Sequence, residues 1–107
     1  RFKDVDQLII TGAKLVELHP SIGNLKKLEL LVLTDNRIKS LPKEIGLLTN
    51  LTFLNLTGNK IIDFPEEIAN LDKTNGGNLH RIGAKVEDIG EENFKKLKAL
   101  LPTVHIS

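Results

Sequence analysis

Cysteine is absent from the 107 residues. That excludes disulfide bonds, thiolate metal sites and a cysteine nucleophile. Tryptophan, tyrosine and methionine are also missing, and the aromatic residues are four phenylalanines. A core built on large rings is therefore excluded, so aliphatic packing must hold the fold. Excess charge is lacking too: 15 basic against 14 acidic residues leave a net charge of +1. Such a balance gives no general pull toward nucleic acid or an anionic membrane. No apolar run approaches the ~20 residues needed to cross a bilayer, and no secretion leader is visible at the start. The lack of cysteine fits a reducing compartment such as the cytoplasm but fixes no location. The chain opens on Arg1 rather than Met, from which we expect that something upstream was removed, whether a tag, a signal peptide or a whole domain. Its length predicts one domain, residues 1–107.

What the chain does contain is a repeat with a period of 23 residues. Three units, 5–27, 28–50 and 51–73, align when Val5, Leu28 and Leu51 take the first position. The fourth position then holds Leu8, Leu31 and Leu54, and the sixth holds Ile10, Leu33 and Leu56. Further on come Leu15, Ile38 and Ile61 at the eleventh position, and Leu18, Leu41 and Phe64 at the fourteenth. Ile22, Ile45 and Ile68 share the eighteenth, and Leu25, Leu48 and Leu71 the twenty-first. All are apolar, a coincidence on the order of 10⁻⁸ for a random chain of this composition. The ninth position adds Asn36 and Asn59.

The opening L-x-x-L-x-L-x-x-N-x-L and the run Leu41-Pro42-Lys43-Glu44-Ile45-Gly46-Leu47-Leu48 resemble the leucine-rich-repeat family. That resemblance implies an α/β, right-handed solenoid with about five short parallel strands on a concave face. Extended or 3₁₀ returns and one C-terminal helix would lie on the convex side. It also implies that Asn36 and Asn59 are structural, their amides bonding backbone groups of neighbouring turns. The residues argue in the same direction. The L-x-L core alternates in and out as a strand does, and one such strand buries its apolar side only when units stack. Pro42 and Pro65 hold the residues before them extended.

Past Lys73 the register breaks. Residues 74–78 read as a turn-rich insert, and an atypical unit, 79–100, restarts at Leu79 with Glu87 in the asparagine position. Phe94, Leu97, Leu100 and Leu101 follow at helical spacing, and Pro102 ends that helix. Leu101, Val104 and Ile106 repeat the opening spacing, which predicts a final strand within 101–107. At the other end Ala13 replaces the asparagine and His19-Pro20 displaces Leu-Pro. The first unit thus reads as a rudimentary cap, with Phe2 a candidate lid. An open first strand there offers a route to weak self-association.

Function is then sought on the outward strand positions. The third gives Gln7, Leu30, Phe53, Arg81 and Thr103. The fifth gives Ile9, Val32, Asn55, Gly83 and His105, and the seventh gives Thr11, Thr34, Thr57, Lys85 and Ser107. Ile9, Leu30, Val32 and Phe53 form an apolar cluster on a face that should meet water, with Asn55 and Arg81 beside it. Such a cluster marks a protein or peptide site, reflects strand-favouring residues alone, or covers a neighbouring copy. The threonine column reads as structural cross-strand pairing. Five strands at ~4.8 Å and ~17 Å of exposed length give roughly 300 Å², against ~800 Å² per partner in a standard interface. Binding would be weak, would use edges and loops, or would belong to a longer array.

Catalytic and metal chemistry find little support. His80 and His105 are expected on neighbouring strands about three residues out of step, ~10 Å, too far to share one metal. No base converges with partners, and Gly76-Gly77 lacks the Lys-Ser/Thr of a phosphate loop. No enzyme activity, cofactor or metal is therefore expected. Glu66-Glu67 and Glu91-Glu92 read as solvated turn and helix-start residues. Lys95, Lys96 and Lys98 read as a solvated helix face. The Asn50 and Asn55 sequons arise from the threonine-rich template and carry no expectation of use. Two alternatives stand beside the interaction module. One is the recognition part of a larger enzyme or signalling protein, such as a kinase, ligase or GTPase bearing repeats. The other is a structural or self-associating module.

Overall fold

A strand forms wherever an L-x-L core opens a unit, because alternate side chains there are apolar and the chain before and after is punctuated by turns. The computed structural model, which describes residues 4–107, contains β1 (Gln7–Ile9), β2 (Leu30–Val32) and β3 (Phe53–Asn55). They are followed by β4 (Arg81–Gly83), α1 (Val86–Ile89), α2 (Glu91–Leu100) and β5 (His105–Ile106). The five strands pair in parallel in sequence order. Leu8, Leu31, Leu54, Ile82 and Ile106 stand side by side across them. Leu31, Leu54 and Ile82 are fully buried, so the repeat spacing points one column of side chains into a shared interior.

Each chain return is short. 3₁₀ turns at Pro20–Asn24, Lys43–Leu47 and Glu66–Leu71 carry the chain back. Pro42 and Pro65 cap two of these turns in extended conformation. In the first unit His19 does this work differently: its Nδ1 accepts the Ser21 N–H at 3.0 Å. Isoleucine at the eighteenth position and leucine at the twenty-first drive each turn onto the core, where Ile45, Leu48, Ile68 and Leu71 are fully buried. Gly46 lets the turns stack, since a Cβ there would lie 2.5 Å from the Glu67 carbonyl oxygen. The same position in the third unit is Ala69, and the unit that follows returns through α2 instead of a stacked 3₁₀ turn.

The asparagines lace the coils together. Asn36 Nδ2 donates to Ile10 O at 2.8 Å and Leu33 O at 3.1 Å, while its Oδ1 accepts Ala13 N and Leu15 N. Asn59 Nδ2 donates to Leu33 O at 2.8 Å and Leu56 O at 3.0 Å, and its Oδ1 accepts Ile38 N. Each asparagine thus reaches back to the preceding coil and satisfies backbone groups that the interior would otherwise leave unpaired. Ala13 has no such reach, and the first coil is the least enclosed. Val5, Leu8, Ile10, Leu15 and Leu25 are only partly buried, whereas their counterparts in the second unit are fully so. Phe2, the candidate lid, lies outside the described residues.

The C-terminal end departs from the repeat. Glu87 occupies the asparagine position within α1, a single helical turn that takes the place of the asparagine-held turn of the earlier units. α2 buries Leu97 and packs Phe94 and Leu100 against the core. Lys96, expected in solvent, instead turns back to the third unit. Its Nζ donates to Phe64 O at 2.7 Å and meets Asp63 at 3.2 Å. One-residue spacing on a helix hides this difference: Lys95 is exposed while Lys96 is half-buried.

The final strand is shifted by two residues from the register its sequence suggests. Arg81 pairs with His105 and Ile82 with Ile106, so His105 takes the third strand position that Thr103 was expected to hold. His80 and His105 are correspondingly not three residues out of step, for His105 N donates to His80 O at 2.9 Å. The cause is Asp72. Its Oδ1 accepts Thr103 N at 2.9 Å and Thr103 Oγ1 at 2.8 Å, which holds Thr103 in the turn after α2 and delays the strand.

Candidate partner-binding face

The sheet register builds the outward face directly. Ile9 lies beside Val32, and Val32 beside Asn55. In the neighbouring row Gln7, Leu30, Phe53, Arg81 and His105 follow one another. Leu30, Val32, Phe53 and Asn55 are half-buried, while Ile9 is 58% exposed. The four apolar side chains are therefore contiguous and open to water on one side. Their mutual packing explains the partial burial: neighbouring strands bring paired side chains within contact range.

Charge bounds this patch on the β4 side. The Arg81 guanidinium carbon stands 5.2 Å from the Phe53 ring centroid, within the range of a cation–π contact. Arg81 Nε also donates to Ser107 Oγ at 3.3 Å. The arginine is thus placed over the aromatic while remaining exposed. Asn55 is less available than its position suggests. Its Oδ1 accepts Thr57 N at 3.1 Å and Thr57 Oγ1 at 2.8 Å. Gly83 makes room for it, because any Cβ at that position would overlap the Asn55 amide. The Thr57 hydroxyl is accordingly turned toward Asn55.

The sequons lie at different places in the coil. Asn50 donates through Nδ2 to Lys26 O at 2.8 Å, outside the strands, and Asn78 makes the matching bond to Thr49 O. Among the described residues no group of three His, Cys, Asp or Glu side chains could hold a metal ion. His19 lies on the return side, away from the two histidines near β4 and β5. A groove of about 380 Å³ lies between α2 and β5 beside Phe94, Leu101 and Ile106.

Two features escape the sequence reading of the face. Asp72 is fully buried yet charged. Burial works to raise its pKa, but hydrogen bonds from Thr74 and Thr103 outweigh that and bring it from 3.8 to about 2. The Asp72-x-Thr74 spacing was the available signal, since an Asp accepting from the residue two ahead is a common local turn. The other is a basic column at the tenth repeat position, Lys14, Arg37 and Lys60. It was readable by the alignment that gave the apolar columns.

A stacked parallel sheet with 3₁₀ returns and back-reaching asparagines defines a repeat solenoid. The family model described as Leucine rich repeat matches residues 4–61, and the chain belongs to the leucine-rich-repeat family. Domains of this family typically act as non-enzymatic modules that bind proteins. A solved leucine-rich-repeat protein of Leptospira interrogans is 35% identical with a TM-score of 0.88. The match covers 97% of this chain and 25% of that one, so the chain spans about a quarter of its length. No curated protein matches the sequence.

Proposed function

We propose that this domain binds a protein or peptide through its concave face, with Leu30, Val32 and Phe53 as anchors and Ile9, Asn55 and Arg81 around them. The observation that carries this reading is the contiguous row Leu30–Phe53–Arg81 beside Ile9–Val32 on an open sheet face. Apolar side chains in register there, bounded by a positioned cation, make a contiguous exposed apolar patch of the kind that marks a partner site. The limited area supports weak binding by this segment alone. Val32→Asp and Phe53→Asp each leave the fold intact, because both side chains are outside the core, and each abolishes partner capture in a pull-down. Retained capture by both folded variants would overturn the reading.

A second reading places the domain as the recognition segment of a longer repeat-bearing protein, including an enzyme or signalling protein. It is supported by the quarter-length coverage of the Leptospira structure. Sequencing the native gene across Arg1 and Ser107 tests it: a reading frame encoding these residues alone would rule it out.

A further inference from the structure

The coil edge that follows the strands carries features unrelated to the concave face. Lys14, Arg37 and Lys60 occupy the tenth position of successive units and are all exposed. Arg37, Lys39 and Lys60 line an open groove of about 330 Å³, together with Asn36, Ile38 and Gly58. The salt bridges formed among the described residues engage Lys27 and Lys96 and none of these cations. Asp63, which follows the basic column in the third unit, is drawn to Lys96 at 3.2 Å. At the strand-side margin Asp35 packs against Gly58 and Asp88 Oδ2 accepts Gly58 N at 3.0 Å, so the three lining cations face two carboxylates and leave an excess of positive charge. The groove is also flanked by apolar surface: Val16 is 63% and Ile62 72% exposed, at the twelfth position on either side of Lys39. In a chain of net charge +1, this is a local concentration of cations mixed with exposed branched aliphatics.

We propose that this rim is a second docking surface, and that its occupant is an extended acidic peptide with alternating apolar side chains. Charge complementarity selects the sign of the partner. The exposed Val16 and Ile62 favour a peptide over a bare polyanion, since phosphate chains have nothing apolar to place against them. Geometry agrees. Coils repeat at ~4.8 Å and alternate residues of an extended peptide at ~6.7 Å, a mismatch that long Lys and Arg stems absorb. From Lys14 to Lys60 the column spans ~10 Å, enough for about four peptide residues. Affinity is accordingly weak and falls with added salt, because exposed charges are screened.

The test uses the 107-residue chain and a fluorescein-labelled peptide alternating glutamate with valine, read by fluorescence anisotropy. The expected result is saturable binding that weakens about tenfold or more in the Arg37→Glu, Lys60→Glu double variant. It also weakens in Ile62→Ser and is unchanged in Phe53→Asp, which separates this rim from the concave face. The affected residues are exposed, and thermal unfolding of each variant confirms an intact fold. Absence of saturable binding, or wild-type binding by the double variant, overturns the proposal. Displacement by polyphosphate of equal charge as effective as by unlabelled peptide also overturns it, in favour of a site for polyanions.

Discussion

Asp72 and Thr103 meet through one carboxylate oxygen, which accepts both the Thr103 backbone N–H at 2.9 Å and its hydroxyl at 2.8 Å. The other oxygen accepts Thr74 N at 3.0 Å and Thr74 Oγ1 at 2.6 Å. One buried carboxylate therefore fastens the turn after the third unit to the segment leading into β5. Without it, the last strand and α2 would be joined to the solenoid by packing, sheet bonds and the Lys96 contacts to Phe64 O and Asp63.

That clasp has a defined pH dependence. The folded pKa of Asp72, about 2, lies below its ordinary 3.8. Its contribution is therefore present above pH ~4 and is lost as pH falls toward the folded value. The difference corresponds to about 2 kcal/mol. Asp72→Asn should remove a similar amount at neutral pH and flatten the acid limb of stability between pH ~4 and ~2. Urea unfolding followed by circular dichroism across that range checks this. An unchanged acid limb in the variant would remove Asp72 from the account.

Asn59 should matter more than Asn50. Asn59 is fully buried and serves Leu33 O, Leu56 O and Ile38 N. Asn59→Ala strands all three, and the expected loss is about 3 kcal/mol. The Asn50 bond to Lys26 O is exposed, so water replaces it and Asn50→Ala costs about 0.5 kcal/mol. Urea midpoints of the two variants provide the comparison, and equal losses would contradict it.

Gly46 and Ala69 occupy one repeat position in successive units, with opposite tolerance. Gly46→Ala drives a methyl toward the Glu67 backbone oxygen, forcing two stacked turns apart at about 1–3 kcal/mol. Ala69→Gly should cost about 0.5–1 kcal/mol, the ordinary flexibility penalty. Amide hydrogen exchange locates the damage: Gly46→Ala should raise exchange at Ile45, Leu48 and Ile68, whose N–H groups close the two turns.

The apolar columns made the solenoid legible before any coordinate. Leu31, Leu54 and Leu56 recur at fixed spacing because every coil must present the same atoms to the same interior. The candidate face was legible to the same extent, as far as β4, since in-and-out alternation follows from the strand itself. What alternation could not tell was how much of Leu30 or Phe53 meets water, or that Asn55 would be held by Thr57. Those depend on neighbours brought together across coils.

By itself the sequence determined the interior: which side chains enter it, how the coils stack and where 3₁₀ returns replace long helices. Only the tertiary structure decided how the array ends. The Asp72–Thr103 clasp spans 31 residues and the Lys96–Phe64 bond 32, neither of which is the repeat period. Periodic contacts leave a trace in the spacing of residues. A contact made once, between segments that follow different rules, leaves none, so the register of β5 and the inward turn of Lys96 emerge only in three dimensions.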